Sequence, residues 1–354
     1  MSWSGLRGGL CLPFRAMGSP HDALFKHVFK NRDDAVGELQ AALPADVLRH
    51  LDLDSLEPID RSFVDPKLVQ FHTDQLYSVP IDGRPGFVYV LFEHQSGTDR
   101  WMPLRILSYM VRIWSAYVDD NSGASSLPPI VPLILHHDEG PWRAAERMHD
   151  LFPSSIMETS GIARCTPSFR LVLDDLVKVT DEELRSRKLT TFGRLVLWAL
   201  RDGRSKRLLE TVSAYADYLG ELLFDERRRV DAHTIFHYIY VVQGHATLDA
   251  LIEAIPSPRI REEAMTIAEQ LRQEGLKQGL QQGREQGREQ GLQQGEVKGR
   301  MKGRREVLIR LMEIKFGELD AEMRRRMERA DSAELDCMAE RLLTAETLTE
   351  VLED

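Results

Sequence analysis

The sequence is poor in several features that would place a protein in a specialised class. It has only three cysteines, and their positions, 11, 165 and 337, are too far apart for a disulfide framework or a zinc-binding spacing. No apolar run reaches the ~18 residues of a membrane span. Residues 1–22 also lack the unbroken apolar core of a signal peptide. We therefore expect a cytoplasmic protein in a reducing compartment, with no membrane partner.

Two further absences narrow the possible functions. The formal net charge is −10, so the whole molecule shows no excess of positive charge for a polyanion. This counts against a nucleic-acid partner only mildly, because acidic metal ligands and acidic helices dilute a local basic groove. The chain has no P-loop, no GxGxxG dinucleotide fingerprint and no GxSxG nucleophile elbow. These absences speak against the nucleotide-binding and hydrolase classes that those motifs identify.

Length and composition predict several folded units. The 354 residues are 42% hydrophobic and 29% charged, as expected of a globular protein with more than one core. We expect a disordered tail at 1–16, a main domain at 17–255, a helical or linker segment at 256–303 and a small helical domain at 304–354.

Apolar periodicity predicts the order of elements in the main domain. Residues 19–43 have helical spacing, interrupted by "KNRDD". A short strand at "LEPIDRSFV" and a hairpin at 72–96 follow. The next stretch, "WMPLRILSYMVRIWSAYVDD", predicts an amphipathic helix on which Leu104, Leu107, Met110, Val111 and Trp114 recur at helical spacing, and Tyr109 and Trp114 are expected to pack. "IVPLILHH" indicates a strand buried on both faces, "FRLVLDDL" another strand, and 180–255 is mostly helical. This order predicts an α/β (α+β) fold with a mixed sheet flanked by helices.

The hairpin "HTDQLYSVPIDGRPGFVYVLFEHQS" contains the candidate site. If "IDGRPG" forms the loop, Pro80 lies opposite Phe87 and Asp74 lies opposite Glu93. Two carboxylates facing each other repel unless a proton, a cationic side chain or a metal ion offsets their charge. Gln95 shares the face of Glu93, and these oxygen ligands favour Mg²⁺ or Mn²⁺. The alternative is a solvated strand end, since a one-residue slip would turn either acid to the other face.

Residues 275–303 repeat glycine every fourth position, with mostly glutamine and charged residues between. As a helix the segment would be ~43 Å long, although each interior glycine costs ~1 kcal/mol relative to alanine. The glycine stripe would let a second helix approach closely, which predicts a homo-oligomer. A flexible linker is the equally open alternative. After the repeat we expect helices, with Gly317 ending the first and "DSAELDCMAERLL" opening another.

Several histidines were considered as metal ligands. His136 and His137 follow a buried strand, where adjacent side chains point to opposite faces, and we favour a loop role for them. His233 and His237 have the spacing of zinc ligands but no evident third ligand, so packing is favoured. His94 alternates to the face opposite Glu93 and is expected to pack. The basic stretch "RMKGRREVLIR" is compatible with phosphate contact or with a solvated helix face.

Five ordered motifs resemble those of the recombination-promoting nucleases, also described as the YhgA-like transposase family. They are "SPHDALFKHVF", "FVDPKLVQFHTDQLYSV", "GFVYVLFEHQS", "MPLRILSYMVRIW" and "PPIVPLILHH". The family is similar to the PD-(D/E)XK nuclease superfamily, which implies a restriction-endonuclease-like core. The glycine-glutamine repeat recurs in the family, and the last fifty residues resemble a helical domain of unknown function.

The resemblance implies a catalytic role for Asp74 and Glu93, which would hold Mg²⁺, and for Gln95, which would orient the attacking water. Gln95 stands where the superfamily has lysine and brings no positive charge to the transition state. The candidate cations that would replace it are Lys26 and Arg105. Asp22, in the "HD" that begins the first motif, is an auxiliary ligand candidate or a helix cap.

The resemblance and the candidate site together predict a Mg²⁺- or Mn²⁺-dependent DNA endonuclease of the PD-(D/E)XK type, linked to recombination or mobile DNA. The alternative is a non-catalytic interaction protein, in which a decayed nuclease core and the glycine repeat assemble a larger complex.

Overall fold

The computed structural model describes residues 20–59, 75–93, 99–138, 140–158 and 160–352, with the backbone alone at 92, 93 and 160. The predicted disordered tail at 1–16 lies outside these ranges. The chain divides into two compact units, 1–272 and 273–354, and each is described by itself. No described helix is long and apolar enough to cross a bilayer.

The first unit is built on a five-stranded mixed sheet. The strands lie in chain order across the sheet: β1 Glu57–Ile59, β2 Gln75–Ile81, β3 Arg84–Glu93, β4 Ile130–His136 and β5 Val172–Asp175. The first three strands are antiparallel neighbours, whereas β3, β4 and β5 are parallel. A parallel pair needs a crossover connection, and α4, Met102–Asp120, supplies it between β3 and β4. The predicted mixed sheet flanked by helices is confirmed.

The turn between β2 and β3 differs from the prediction. Asp82 and Gly83 have φ angles of 49° and 74°, so the chain reverses in two residues. Asp-Gly is favoured in such turns because both central residues must adopt positive φ. Pro80 therefore pairs with Pro85, and the predicted pairing of Pro80 with Phe87 is wrong. A two-residue shift preserves the alternation of faces along a strand.

Helices cover both faces of the sheet. Asn31 separates the first two, as its side chain accepts hydrogen bonds from the backbone N–H groups of Asp33 and Asp34 and caps the second helix. The helices of this unit, besides α4, are α1 Pro20–Phe29, α2 Arg32–Ala42, α3 Ala45–Leu48, α5 Ser154–Met157, α6 Ser160–Cys165, α7 Asp181–Ser186, α8 Thr191–Asp202, α9 Arg207–Leu223, α10 Arg229–Gln243 and α11 His245–Ala254. The predicted helical region at 180–255 is confirmed.

Helix α4 covers the face of the sheet opposite α1 and α8, and it buries only part of the predicted stripe, including Met110. Ile106, Tyr109 and Ile113 are buried against the sheet, whereas Leu104 and Val111 are each 49% exposed. The helix carries apolar residues on more than one side, and the sheet selects the side with the larger aromatic contact. Tyr109 packs against Tyr89 with ring centroids 5.7 Å apart, which confirms that Tyr109 packs.

A buried ion triad joins α2, β5 and the segment after α7. The Arg187 guanidinium donates to both oxygens of Glu38 at 2.8 and 2.7 Å and to both oxygens of Asp174 at 2.7 and 2.9 Å. Burial raises the pKa of Glu38 well above its ordinary value, although Arg187 opposes the shift. Hydrogen bonds from Glu38 and Arg187 outweigh burial at Asp174 and lower its pKa. The triad therefore favours the protonated form of Glu38 and the ionised form of Asp174.

The glycine repeat is helical. Helix α12, Pro258–Phe316, contains all eight repeat glycines. A Cβ added at any of the glycines from 279 to 303 would meet no other described atom within 4 Å. No described element packs against this stripe, so the predicted self-association stays a prediction.

The remaining helices of the second unit follow the predicted boundaries. Gly317, with φ of 92°, ends α12 as expected. The Asp331 side chain accepts a hydrogen bond from the N–H of Glu334, and the Glu334 carboxylate accepts one from the N–H of Asp331. This capping box begins α14. The helices are α13 Ala321–Arg329, α14 Ser332–Thr344 and α15 Leu348–Leu352.

Candidate functional site

The three residues predicted to catalyse are at the limits of the described structure. Asp74 and Gln95 lie outside the described residues, as does His94. The backbone of Glu93 is described and forms the last residue of β3. The predicted grouping of Asp74, Glu93 and Gln95 therefore stays a prediction.

Glu93 ends its strand at the carboxyl edge of the parallel part of the sheet. In the β3–β4 ladder it is paired with His136, and in the β4–β5 ladder His136 is paired with Asp175. The three residues thus occupy one register line across three parallel strands. The carboxyl edge of parallel strands is where open α/β sheets bind their ligands.

His136 and Asp175 are connected through the turn that follows β4. The Nε2 of His136 bonds the carbonyl oxygen of Gly140 at 3.1 Å, and its ring packs edge-on against Trp142 at 5.2 Å. The backbone N–H of Trp142 donates to Asp175 Oδ2 at 3.0 Å, and Lys178 Nζ lies 3.1 Å from the same oxygen. His136 belongs to β4, so the loop role favoured for it is wrong.

A second histidine group lies on the other face of the sheet. His137 bonds the carbonyl oxygen of Leu200 through Nδ1 at 3.1 Å, and its ring lies 4.9 Å from that of His21. His21 Nδ1 is 2.7 Å from the hydroxyl of Tyr238, whose pKa is raised by burial. The predicted divergence of His136 and His137 is confirmed, because each contacts a different face.

The start of α1 therefore lies beside the end of β4. Asp22 follows His21 in the first turn of α1 and is buried, which brings this auxiliary candidate to the edge that Glu93 also reaches. Its predicted role as a ligand or cap stays a prediction. Lys26 is half-buried one turn later on the same helix.

Arg105 contacts a neighbouring residue on its own helix. Its Nε donates to the hydroxyl of Tyr109 at 3.1 Å, and its guanidinium carbon lies 5.9 Å from the centroid of that ring. The side chain is half-buried on α4. An arginine with a hydroxyl partner keeps its charge, so its proposed electrostatic role stays a prediction.

The other metal and phosphate candidates have contacts within the described parts of the protein. His233 and His237 lie on α10 with ring centroids 6.1 Å apart, and no group of three possible ligands occurs in the described ranges. The basic stretch after 299 pairs within the protein: Arg304 bonds Asp336, and Arg305 bonds the carbonyl of Ala330. Packing thus occupies both arginines.

Sequence reasoning missed Asp175. The strand "FRLVLDDL" was predicted, but the two acids that end it were not considered as site residues. A signal was present, because two consecutive acids at the end of a strand place one on each face. Asp174 joins the Arg187 triad on one face, and Asp175 joins His136 on the other.

Comparison with known proteins agrees with the motifs. The family described as "Putative transposase, YhgA-like" matches residues 19–228. The recombination-promoting nuclease RpnA of Escherichia coli K12 is 29% identical over 260 residues, which cover 73% of this chain and 85% of RpnA. RpnD of Escherichia coli O157:H7, also named a recombination-promoting nuclease, is 29% identical over 262 residues, covering 72% and 95% of the two chains.

A third relative is named inactive. RpnE of Escherichia coli K12, an "inactive recombination-promoting nuclease-like protein", is 28% identical over 260 residues, covering 73% of this chain and 83% of RpnE. No solved structure matches the chain. The matched residues include the whole described sheet and the helices α1 to α9. This chain therefore belongs to the YhgA-like transposase family.

Proposed function

We propose that this protein is a DNA endonuclease that hydrolyses phosphodiester bonds with Mg²⁺ or Mn²⁺ and acts in DNA recombination. The observation that supports the proposal is the position of Glu93 at the carboxyl edge of three parallel strands. Two of the relatives are named recombination-promoting nucleases, and the family motifs lie in the same order along this chain.

The donor set of the predicted site fits such an ion. Asp74 and Glu93 supply carboxylate oxygens, and Mg²⁺ and Mn²⁺ prefer oxygen ligands. When bound, the ion polarises the phosphoryl oxygen and lowers the pKa of its water. Gln95 orients the attacking water through its side-chain amide. Lys26 and Arg105 are the proposed sources of positive charge, because a glutamine side chain carries none.

Plasmid nicking tests this proposal. The wild-type protein is expected to nick plasmid with Mg²⁺ or Mn²⁺, and Asp74→Ala and Glu93→Ala are expected to lose most of that activity. Glu57→Ala, at an exposed acid of β1, is the matched control and should nick like the wild type. Nicking that persists unchanged in both site variants would reject the site.

The second candidate is a non-catalytic interaction protein. The inactive relative favours it, and so does the glycine stripe, against which no described element packs. Absence of nicking by every form, with either ion, would favour this candidate. We further propose that residues 275–303 form a homo-oligomer contact. Deleting them should reduce the mass measured by light scattering, and an unchanged mass would dismiss the contact.

A further inference from the structure

The carboxyl edge of the sheet holds two buried acceptor atoms that the proposed reaction does not use. Nδ1 of His136 and Oδ1 of Asp175 are both inaccessible, and neither has a hydrogen-bond partner among the described residues. Their residues are 1% and 7% exposed and are directly paired between β4 and β5. Paired residues of neighbouring strands share a face, so the two side chains lie on the same side of the sheet at its carboxyl edge.

The protonation of His136 follows from its other nitrogen. A carbonyl oxygen only accepts, so Nε2 must carry the proton in its bond to Gly140. In the neutral imidazole Nδ1 then presents a lone pair. The edge of Trp142 packs on the ring and keeps that orientation.

Asp175 is held in a similar way. Its Oδ2 accepts from the Trp142 N–H and from Lys178, which fixes the carboxylate, while Oδ1 accepts from no described group. The Lys178 side chain is 61% exposed, so solvent screens much of its charge. The neighbouring atoms at this register are therefore a neutral nitrogen lone pair and a carboxylate oxygen.

Two buried acceptors on paired residues require a donor or a cation. Leaving a buried acceptor unsatisfied costs the full desolvation free energy of that group. With Nε2 as the donor to Gly140, the neutral tautomer of His136 leaves Nδ1 as an acceptor, and neither atom then donates to the other. A mixed nitrogen and oxygen donor set with residual negative charge suits Mn²⁺, Fe²⁺ or Zn²⁺ better than Mg²⁺.

We propose that His136 Nδ1 and Asp175 Oδ1 ligate a divalent transition-metal ion beside the predicted site, with water in the remaining positions. Their register line continues to Glu93, and adjacent strands are ~4.8 Å apart. Metal binding at this site does not depend on the proposed nuclease function, but the catalytic role of the bound ion rests on that function. There the ion supplies the positive charge that Gln95 lacks, as the second ion does in two-metal phosphodiesterases.

Mn²⁺ binding by the intact protein, without DNA, tests the site. Electron spin echo measurements detect nitrogen coupled to Mn²⁺, and the wild type is expected to show such coupling. His136→Gln should abolish the coupling and lower the number of bound ions. Asp175→Asn should lower that number as well. His137→Gln, at the adjacent histidine on the other face, is the matched control and should keep both.

The outcomes are distinct. Wild-type Mn²⁺ without nitrogen coupling would mean that water satisfies the two acceptors, and coupling that persists in His136→Gln would assign it to another histidine. Either result overturns the site, and the wild-type result needs no variant to fold. Circular dichroism melts confirm that each variant is folded before its coupling is compared. Nicking that depends on Asp74 and Glu93, with no nitrogen coupling, would leave the proposed function standing and remove only the second ion.

Discussion

Replacing Arg187 by methionine would leave the carboxyl groups of Glu38 and Asp174 buried together without a cation. Arg187 donates four hydrogen bonds to the two carboxyl groups, and each of the three side chains is at most 7% exposed. Methionine retains much of the aliphatic volume, so the change removes charge and donors more than packing.

The expected cost is large because the remaining charge is uncompensated. Removing one partner from a buried ion pair typically costs ~3–5 kcal/mol. For a unit of this size that corresponds to a melting temperature lower by about 6–20 °C. Glu38→Gln should behave differently, because the raised pKa of Glu38 favours a neutral carboxyl, and an amide can replace a neutral carboxyl. We expect that variant to lose less than ~1.5 kcal/mol, about the net value of one hydrogen bond.

Urea unfolding of the full chain at neutral pH, followed by circular dichroism, measures both free energies. Equal destabilisation by Glu38→Gln and Arg187→Met would refute the reasoning, since it would mean that Glu38 is a needed carboxylate. Arg194→Met is a matched control, because it removes the same type of side chain nearby. Arg194 donates to the backbone carbonyls of Arg187 and Leu189 but has no carboxylate hydrogen bond in the described part of the chain.

The pH dependence gives an independent check on the same triad. The pKa of Glu38 is raised above its ordinary 4.5, so its contribution to stability is complete below pH 4.5 and is lost as pH rises through the folded pKa. The pKa of Asp174 is lowered from 3.8, so its contribution is present above pH 3.8 and is lost as pH falls through the folded pKa. Glu38→Gln should therefore gain stability relative to the wild type as pH rises above 4.5.

Two further predictions concern glycine and a helix cap. Gly37→Ala should destabilise the first unit by ~1–3 kcal/mol, because the added Cβ would lie 2.0 Å from the carbonyl oxygen of Lys188. Gly291→Ala should instead stabilise α12 by up to ~1 kcal/mol, because its Cβ would meet nothing within 4 Å. Thermal melts of the two variants measure the contrast, and a shift of the same sign in both would contradict it. Asp331→Ala should destabilise the second unit by ~0.5–2 kcal/mol through loss of the capping box, as measured by its unfolding. Asp336→Ala is the control: it lies away from the cap and removes only the pair with Arg304.

Local signals predicted the elements that depend on short-range chemistry. Asn31, Gly317 and Asp331 each mark a helix boundary because a cap or a left-handed residue acts within one turn. The apolar run of β4 likewise predicted a strand buried on both faces, since only a covered sheet tolerates it.

Features that depend on packing were harder to predict. The burial of α4 was predicted only in part. Tyr109 is buried as expected, whereas Leu104 and Val111 are exposed, because the position of the sheet decides which apolar side of the helix is covered. The predicted hairpin loop is longer than the observed turn, because Pro85 and the glycines near Asp82 all favour turns in the sequence. The pairing of His136 with Asp175 joins residues 39 positions apart, and no local pattern predicts the order of β3, β4 and β5.

The tight turn at Asp82 and Gly83 also limits how this hairpin can change in length. Two residues with positive φ leave no slack in the turn, so a single insertion or deletion within β3 is not absorbed there. Such a change would rotate every later residue of the strand to the opposite side. Natural and engineered variants of this hairpin should therefore differ in strand length by even numbers, and a family member with an odd difference should carry a compensating bulge.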